Sequence, residues 1–354
     1  MLDMELCERY FRMPPVHWQA AQLVLDGIQR DDTAQCLLDS IFEAFFRLTS
    51  PQLAAERCFF LSQYMKHFAG QQEGIVYAAV FGQALPELAE RLKQECRNHR
   101  ILEDTLADYG IWARRYERET GRVGIGEYKW MCVLFCQKIY RIGRLQYEKI
   151  LYREPYYLFR SRTDGDYRIV PQAGMEVLRR DAAGGQAHTL RYYPVEERQA
   201  RILSERAKLN MDEYELVLAP GMPVLNLHVP EGEPLLPRQV DKSLQAAASF
   251  FRERNYPSVI GVCDSWLLDP ATEEYACASE NILDFQRRFR KYPLEKEGSD
   301  AINRIFGRKY GKEKPENFPE KTSLQRSLKN YLLQGGTLRD TGGFLELRYC
   351  SRSS

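Results

Sequence analysis

Two runs decide the fold: PVLNLHVP at Pro223–Pro230 and SVIGVCDSWLL at Ser258–Leu268. Each is a short apolar stretch, with Val224, Leu225, Leu227 and Val229 in the first, and each reads as a buried strand. The first runs through the loop EGEPLLPRQV into DKSLQAAASFFRER, whose apolar spacing is helical. After the second comes another loop and a second helical stretch, NILDFQRRFRKY. Strand, helix, strand, helix in that order predicts two adjacent parallel strands joined by a crossover. Polar groups and helix amino-termini gather at the carboxyl ends of such strands, so a ligand cleft is expected there.

Upstream, Gly143 marks a change of pattern. RLQYEKILYR, YYLFRSR and YRIV alternate as antiparallel strands do, and Asp164-Gly165 in TDGD supplies a tight turn. The charged segment PVEERQARILSERAKLNMDEYELVLAP reads as one or two surface helices with a solvated face. Before Gly143 the period is helical from about residue 16 to 142. One stripe is Leu38, Ile41, Phe42, Phe45 and Leu48; another is Ala54, Cys58, Leu61, Met65 and Phe68. Thr49-Ser50-Pro51, Gly70, Pro86 and Gly121 punctuate five or six helices, and Arg141-Ile142-Gly143 reads as a glycine stop to the last. The fold class is therefore α+β: a helical domain over 1–142, then a mixed-sheet domain with flanking helices over 143–354.

The 354 residues suit two domains, and 44% hydrophobic against 28% charged residues suffice for a sizeable core. Fifty basic and 49 acidic side chains leave a formal charge of +1. Nothing global thus favours nucleic acid or an anionic membrane as partner. The longest apolar runs, such as Trp130 to Cys136, fall far short of the ~18 residues a membrane span needs. The acidic start MLDMELCERY is unlike a signal peptide, and nine scattered cysteines suit reduced thiols, so a cytoplasmic protein is expected.

Several helical-region features have plain readings. Cys132 and Cys136 share a helix face, but no second pair or histidine completes a tetrahedral metal set. His17, His67 and His99 stand singly and read as structural. Gly124-Ile125-Gly126 lacks the strand and further glycine of a phosphate loop.

GRLQYE (143–148), LNLHVPEGEPL (225–235), CDSWLLDP (263–270), SENILDFQRRF (279–289) and TSLQRSLKNYLLQGG (322–336) carry a resemblance spanning nearly the whole chain. The chain resembles the bacterial GNAT-like acyltransferases, which pair an N-terminal helical domain with a C-terminal acyltransferase domain. The resemblance implies a soluble N-acyltransferase that moves an acyl group from acyl-CoA to an amine and uses no metal. The donor would lie in a splayed V between the two central strands, beside Leu227 and Val229. Its partners are then small molecules: an acyl donor and an amine acceptor.

Amine attack on a thioester needs a base, donors for the oxyanion and a proton for the leaving thiolate. His228, at the end of its strand, suits the base; equally, it fixes the turn of the EGEP loop. Ser265 is a candidate donor to the thioester carbonyl or a hydroxyl satisfied by the sheet, and Tyr275 a candidate acid or a partly buried surface tyrosine. Along CDSW, Cys263 and Ser265 share one face and Asp264 and Trp266 the other. Glu231 and Glu233 read as solvated loop residues. Asn281 matches the family's asparagine on the pantetheine arm and also reads as a helix cap. The superfamily's glycine-rich pyrophosphate turn is missing from EGEPLLPRQVDKS, which has one glycine and two prolines, so Arg238, Gln239, Lys242 and the amides near Ser243 take over phosphate binding. An acyl carrier protein would need less from this loop. Two alternatives stand beside direct transfer: a covalent acyl-enzyme on Cys263, and a binding protein that keeps the fold without catalysis.

Overall fold

In a computed structural model of the chain, residues 1–96, 98–178, 189–258, 260–276 and 279–347 are described; Cys277 and Cys350 lie outside them. Contacts within the chain divide it into two compact units, residues 1–148 and 149–354.

The described residues of the first unit form eight helices: α1 (Met4–Phe11), α2 (Pro15–Gln29), α3 (Asp32–Phe46), α4 (Pro51–Ala69), α5 (Glu73–Glu95), α6 (His99–Leu106), α7 (Asp108–Thr120) and α8 (Tyr128–Phe135). Three boundaries fall where the punctuation predicts. Pro51 opens α4 at its first position, and Gly70 and Gly121 close α4 and α7 with φ of 66° and 69°, a left-handed backbone that suits glycine. Pro86 does not break α5, contrary to expectation. Proline there leaves the Gly82 carbonyl without its helical donor, and the buried Cys7 thiol takes that place at 3.9 Å. The last helix is also shorter than expected. It ends at Phe135, Gln137 turns the chain with φ 56°, and β1 (Ile139–Ile142) pairs antiparallel with β2 (Leu145–Leu151), with Gly143 at φ 64° in the turn. Isoleucines at 139 and 142 around Tyr140 favour strand over helix. Leu38, Ile41, Phe45, Ala54, Cys58, Leu61 and Met65 are buried as the stripes predict, whereas Leu48 and Phe68 at the stripe ends are exposed. Cys132 lies against Cys58, Sγ to Sγ 3.9 Å, inside this core.

In the second unit the TDGD hairpin forms as predicted, from β3 (Tyr156–Ser161) and β4 (Tyr167–Pro171) with Gly165 at φ 74°. Short strands follow: β5 (Glu176–Leu178), β6 (Thr189–Tyr192), β7 (Val195–Glu196), β8 (Arg201–Ile202), β9 (Ala207–Asn210) and β10 (Tyr214–Leu218). The charged segment therefore contains no helix, correcting the sequence expectation. Ala200 at φ 45° and the Asn210–Glu213 turn cut it into pieces too short for one, and alternation at Leu209, Tyr214, Leu216 and Leu218 serves two small antiparallel sheets, β10-β3-β4 and β5-β6-β9.

The deciding runs form β11 (Pro223–His228) and β12 (Ile260–Asp264), connected by α9 (Pro237–Arg252). They are parallel neighbours, as predicted. Beyond β12 come a 3-10 turn at Trp266–Leu268, α10 (Thr272–Tyr275), α11 (Glu280–Arg287), β13 (Arg290–Glu297), α12 (Ser299–Ile305), α13 (Ser323–Leu333) and β14 (Arg339–Glu346). The side-by-side order is β11-β12-β14-β13, with β14 antiparallel to both its neighbours. One face of this sheet packs Val224, Ile260, Val262, Tyr292 and Phe344 with Tyr152, Tyr156 and Leu158. Gly342 is required there: a Cβ would stand 2.4 Å from the Tyr292 ring, which stacks on Phe344 at 4.6 Å.

Candidate functional site

The β11–β12 ladder contains two register pairs, Leu225↔Gly261 and Asn226↔Val262. Each strand then runs two residues further, to His228 and Asp264. On its other side β12 stays paired with β14 through Asp264↔Gly342. Past Asn226↔Val262 no register pair among the described residues joins β11 to β12, while β12 stays paired with β14 to its end; this end of the ladder is the candidate parting of the two strands.

Register decides which side chains meet at that parting. Partners in a ladder share a face, and faces alternate along each strand. Asn226 and Val262 face one side, so His228 and Asp264, each two residues on, face it too. His228 is half-buried and its Nε2 lies 3.1 Å from the Asn226 amide nitrogen, which fixes the plane of the ring. Asp264 is exposed at the end of its strand. Neither Asn226 nor Asp264 stood out in the sequence. Their signal is the strand register, which no local pattern contains.

Ser265 lies on the opposite side of this parity. Its Oγ accepts from the Leu267 amide at 3.2 Å, opening the 3-10 turn, and its own amide donates to the Thr341 carbonyl. Trp266 belongs to that turn and so does not continue the strand alternation. Tyr275 is set into a cluster with Phe306, Phe318 and Leu328, its hydroxyl buried and without a hydrogen bond among the described residues; burial raises its pKa well above the ordinary phenol value. Cys263 is buried on the face away from His228, and burial pushes its thiol up, against thiolate formation.

Leu227 is buried over Gly261, where a Cβ would come within 2.7 Å of it; Val229 is half-buried just past the strand. Glu231, Gly232 and Glu233 are exposed, and Gly232 needs its glycine at φ 117°. Helix α9 starts with Leu236 as an N-cap that offers no side-chain oxygen and Pro237 at the first position. Arg238, Gln239 and Lys242 are exposed on its first turns, whereas Ser243 is buried. Asn281 is the second residue of α11, whose N-cap is Ser279, so it is not the expected cap; it is half-buried.

Behind the parting a buried polar node fixes the chain after Asp264. Gln286 Nε2 donates to the Leu267 carbonyl (3.2 Å), the Asp269 carbonyl (2.8 Å) and Thr272 Oγ1 (2.7 Å), and Lys291 Nζ donates to Gln286 Oε1 at 3.3 Å. Asp269 accepts from the amides of Ala271 and Arg339. Burial lowers the Lys291 pKa and raises that of Asp269. The node ties the 3-10 turn to β13 and β14, and thereby sets the direction in which β12 ends.

No group of His, Cys, Asp and Glu among the described residues is arranged to hold a metal ion, and no described helix is long and apolar enough to cross a membrane. A search of curated proteins returned no match. Solved structures share the fold. An acyltransferase variant in complex with octanoyl-CoA aligns with 97% of this chain and 87% of its own at 18% identity and TM-score 0.60. An acyltransferase in complex with CoA and 10C-teicoplanin aligns over 84% and 78% at 20% identity and TM-score 0.54. A complex with decanoyl-CoA and teicoplanin aligns at 22% identity and TM-score 0.52 over 77% of this chain, which spans 66% of that one. Family profiles match residues 1–136 as an N-acyltransferase N-terminal domain and residues 139–345 as a GNAT-like C-terminal domain. The chain belongs to the GNAT-like N-acyltransferase family.

Proposed function

We propose that the protein transfers an acyl group from acyl-CoA to an amine by direct attack, with the thioester seated where β11 and β12 part. The observation that carries this reading is the end of the ladder at Asn226↔Val262, with His228 and Asp264 beyond it on one face. The amine nitrogen bonds to the thioester carbonyl carbon, the carbon–sulfur bond breaks, and the thiolate leaves to be protonated. His228 takes on Nε2 the proton that the amine loses; at rest that lone pair accepts from the Asn226 amide, so the hydrogen bond opens as the proton arrives. Asp264 attracts the cationic form of the acceptor before it is deprotonated. The phosphates of the donor are met by Arg238, Gln239 and Lys242 at the start of α9. Cys263, buried on the other face, takes no part.

The structural relatives hold octanoyl- and decanoyl-CoA, and teicoplanin accompanies the donor in one of them. Medium-chain acyl-CoA and an amine borne on a large polar molecule are therefore the substrates to try first. Thiol release from acetyl-, octanoyl- and decanoyl-CoA with a panel of amines is the test. Amine-dependent release is expected, and His228→Ala should lower kcat/KM about 10²-fold, the lower end for loss of a general base. Asp264→Asn should raise the KM of the amine more than it lowers kcat. Release from an acyl carrier protein alone would replace the donor. If no thioester is turned over or shifts the melting temperature, the protein is a binding protein on this fold.

A further inference from the structure

Gly124-Ile125-Gly126, the glycine pair that takes no part in the acyl-transfer reading, shapes a groove in the helical unit. Gly124, at φ 139°, passes so close to the start of α5 that a Cβ would stand 2.6 Å from the Gly74 carbonyl oxygen, and the Ile125 amide donates to that oxygen at 3.0 Å. A Cβ on Gly126 would stand 2.9 Å from the Tyr116 ring of α7. Glycine is therefore a packing requirement here. It pins the loop that leaves α7, with Arg122 and Val123, against α5.

Between this loop, α5 and α2 opens a groove of about 500 Å³. That is within the ~300–1,000 Å³ of small-molecule sites. Leu23 and Val24 of α2, Ile75 of α5 and Val123 supply its apolar surface. Leu23 is 73% exposed, a large apolar side chain left uncovered at the groove's lip.

The polar lining decides the charge of an occupant. Arg122 is exposed and its guanidinium has no ion pair or hydrogen bond among the described residues, so it is open to a ligand. The Gln71 carboxamide, half-buried in the same lining, is uncommitted as well. No described Asp or Glu lines the groove, and Glu73, two residues from Gln71, is held by Lys66 at 2.8 Å. One unopposed guanidinium beside an apolar floor complements an anion with an apolar tail and repels a cation. We propose that this groove binds an unbranched medium-chain carboxylate, its tail along Leu23, Val24, Ile75 and Val123 and its head on Arg122. The proposal does not depend on the acyl-transfer reading.

Octanoate, octanol, octylamine and acetate are titrated into the full chain, with the methyls of Leu23, Val24, Ile75 and Val123 as NMR reporters. Saturable octanoate binding at those methyls is expected, about fivefold or more tighter than octanol or octylammonium, and none with acetate. Arg122→Gln should weaken octanoate about fivefold and leave octanol unchanged. Leu23→Glu replaces an exposed side chain and places a carboxylate at the lip, so it should abolish octanoate binding with the melting temperature retained. Should Leu23→Glu melt early, the wild-type titrations and Arg122→Gln decide alone. Octanoate binding no tighter than octanol or octylammonium, insensitivity to Arg122→Gln, shifts only outside these methyls, or no saturable binding would each overturn the proposal. Shifts of the same methyls that follow protein concentration without ligand would assign the groove to a second copy of the chain and overturn it too.

Discussion

Replacing Gln286 by Leu removes the centre of the node behind the parted strands at nearly constant volume. Gln286 is 1% exposed, so no water replaces its bonds. Its two N–H groups serve three acceptors and its oxygen takes the Lys291 ammonium. About three buried hydrogen bonds are lost at ~1 kcal/mol each, and the stranded ammonium adds ~1–3 kcal/mol. The more apolar side chain recovers ~1 kcal/mol. The net loss is about 3–5 kcal/mol, and at ~2–4 °C per kcal/mol for a unit of this size the melting temperature falls by roughly 6–20 °C. Urea unfolding measures the loss. Hydrogen exchange localises it: the amides of Leu268, Ala271 and Arg339, which bond to Ser265 and Asp269, should lose protection first. A variant within 1 kcal/mol of wild type, with those amides still protected, would refute the assignment of the node as the support of the β12 terminus.

Three further outcomes are expected. Cys263→Ser should retain most thiol-release activity and no acyl adduct should be found on the wild-type protein by mass spectrometry, because the thiol is buried away from His228; a trapped adduct lost in the variant would restore the covalent route. His17 is fully buried between Tyr109, whose hydroxyl lies 2.9 Å from Nε2, and Glu117, 3.2 Å from Nδ1; burial lowers its pKa despite Glu117. Its folded pKa is then below the ordinary ~6.5, so it contributes stability that is complete above that value and is lost as pH falls through the folded pKa. Thermal melts at pH 7.5 and 5.5 should show a larger drop for wild type than for His17→Gln, and an equal drop counts against this. Asp108, 1% exposed, accepts from the indoles of Trp112 at 3.1 Å and Trp130 at 2.7 Å, so Asp108→Leu should cost about 2–4 kcal/mol and shift tryptophan emission; unchanged emission and stability would dismiss that role.

The parallel pair was legible because β11 and β12 are apolar runs with a helical crossover between them, and such a unit admits few arrangements. His228 was legible for the same reason, as a histidine at a strand end. Its neighbours were not. Whether Asp264 or Ser265 meets it depends on which residue of β12 stands opposite Asn226, and a shift of one residue exchanges the two. Pro86 misled because the helix break it normally causes is offset by a thiol 79 positions earlier in the chain, at Cys7. The charged stretch after Tyr192 read as helix because charge is a surface signal common to helices and to small solvated sheets.

The crystal structure of the protein with a non-hydrolysable octanoyl-CoA thioether tests the central claim most directly. The thioether sulfur is expected between β11 and β12 beyond Asn226 and Val262, with the His228 imidazole and the Asp264 carboxylate on the side from which the amine approaches. A ladder continued through His228 and Asp264, with the ligand bound elsewhere, would contradict it.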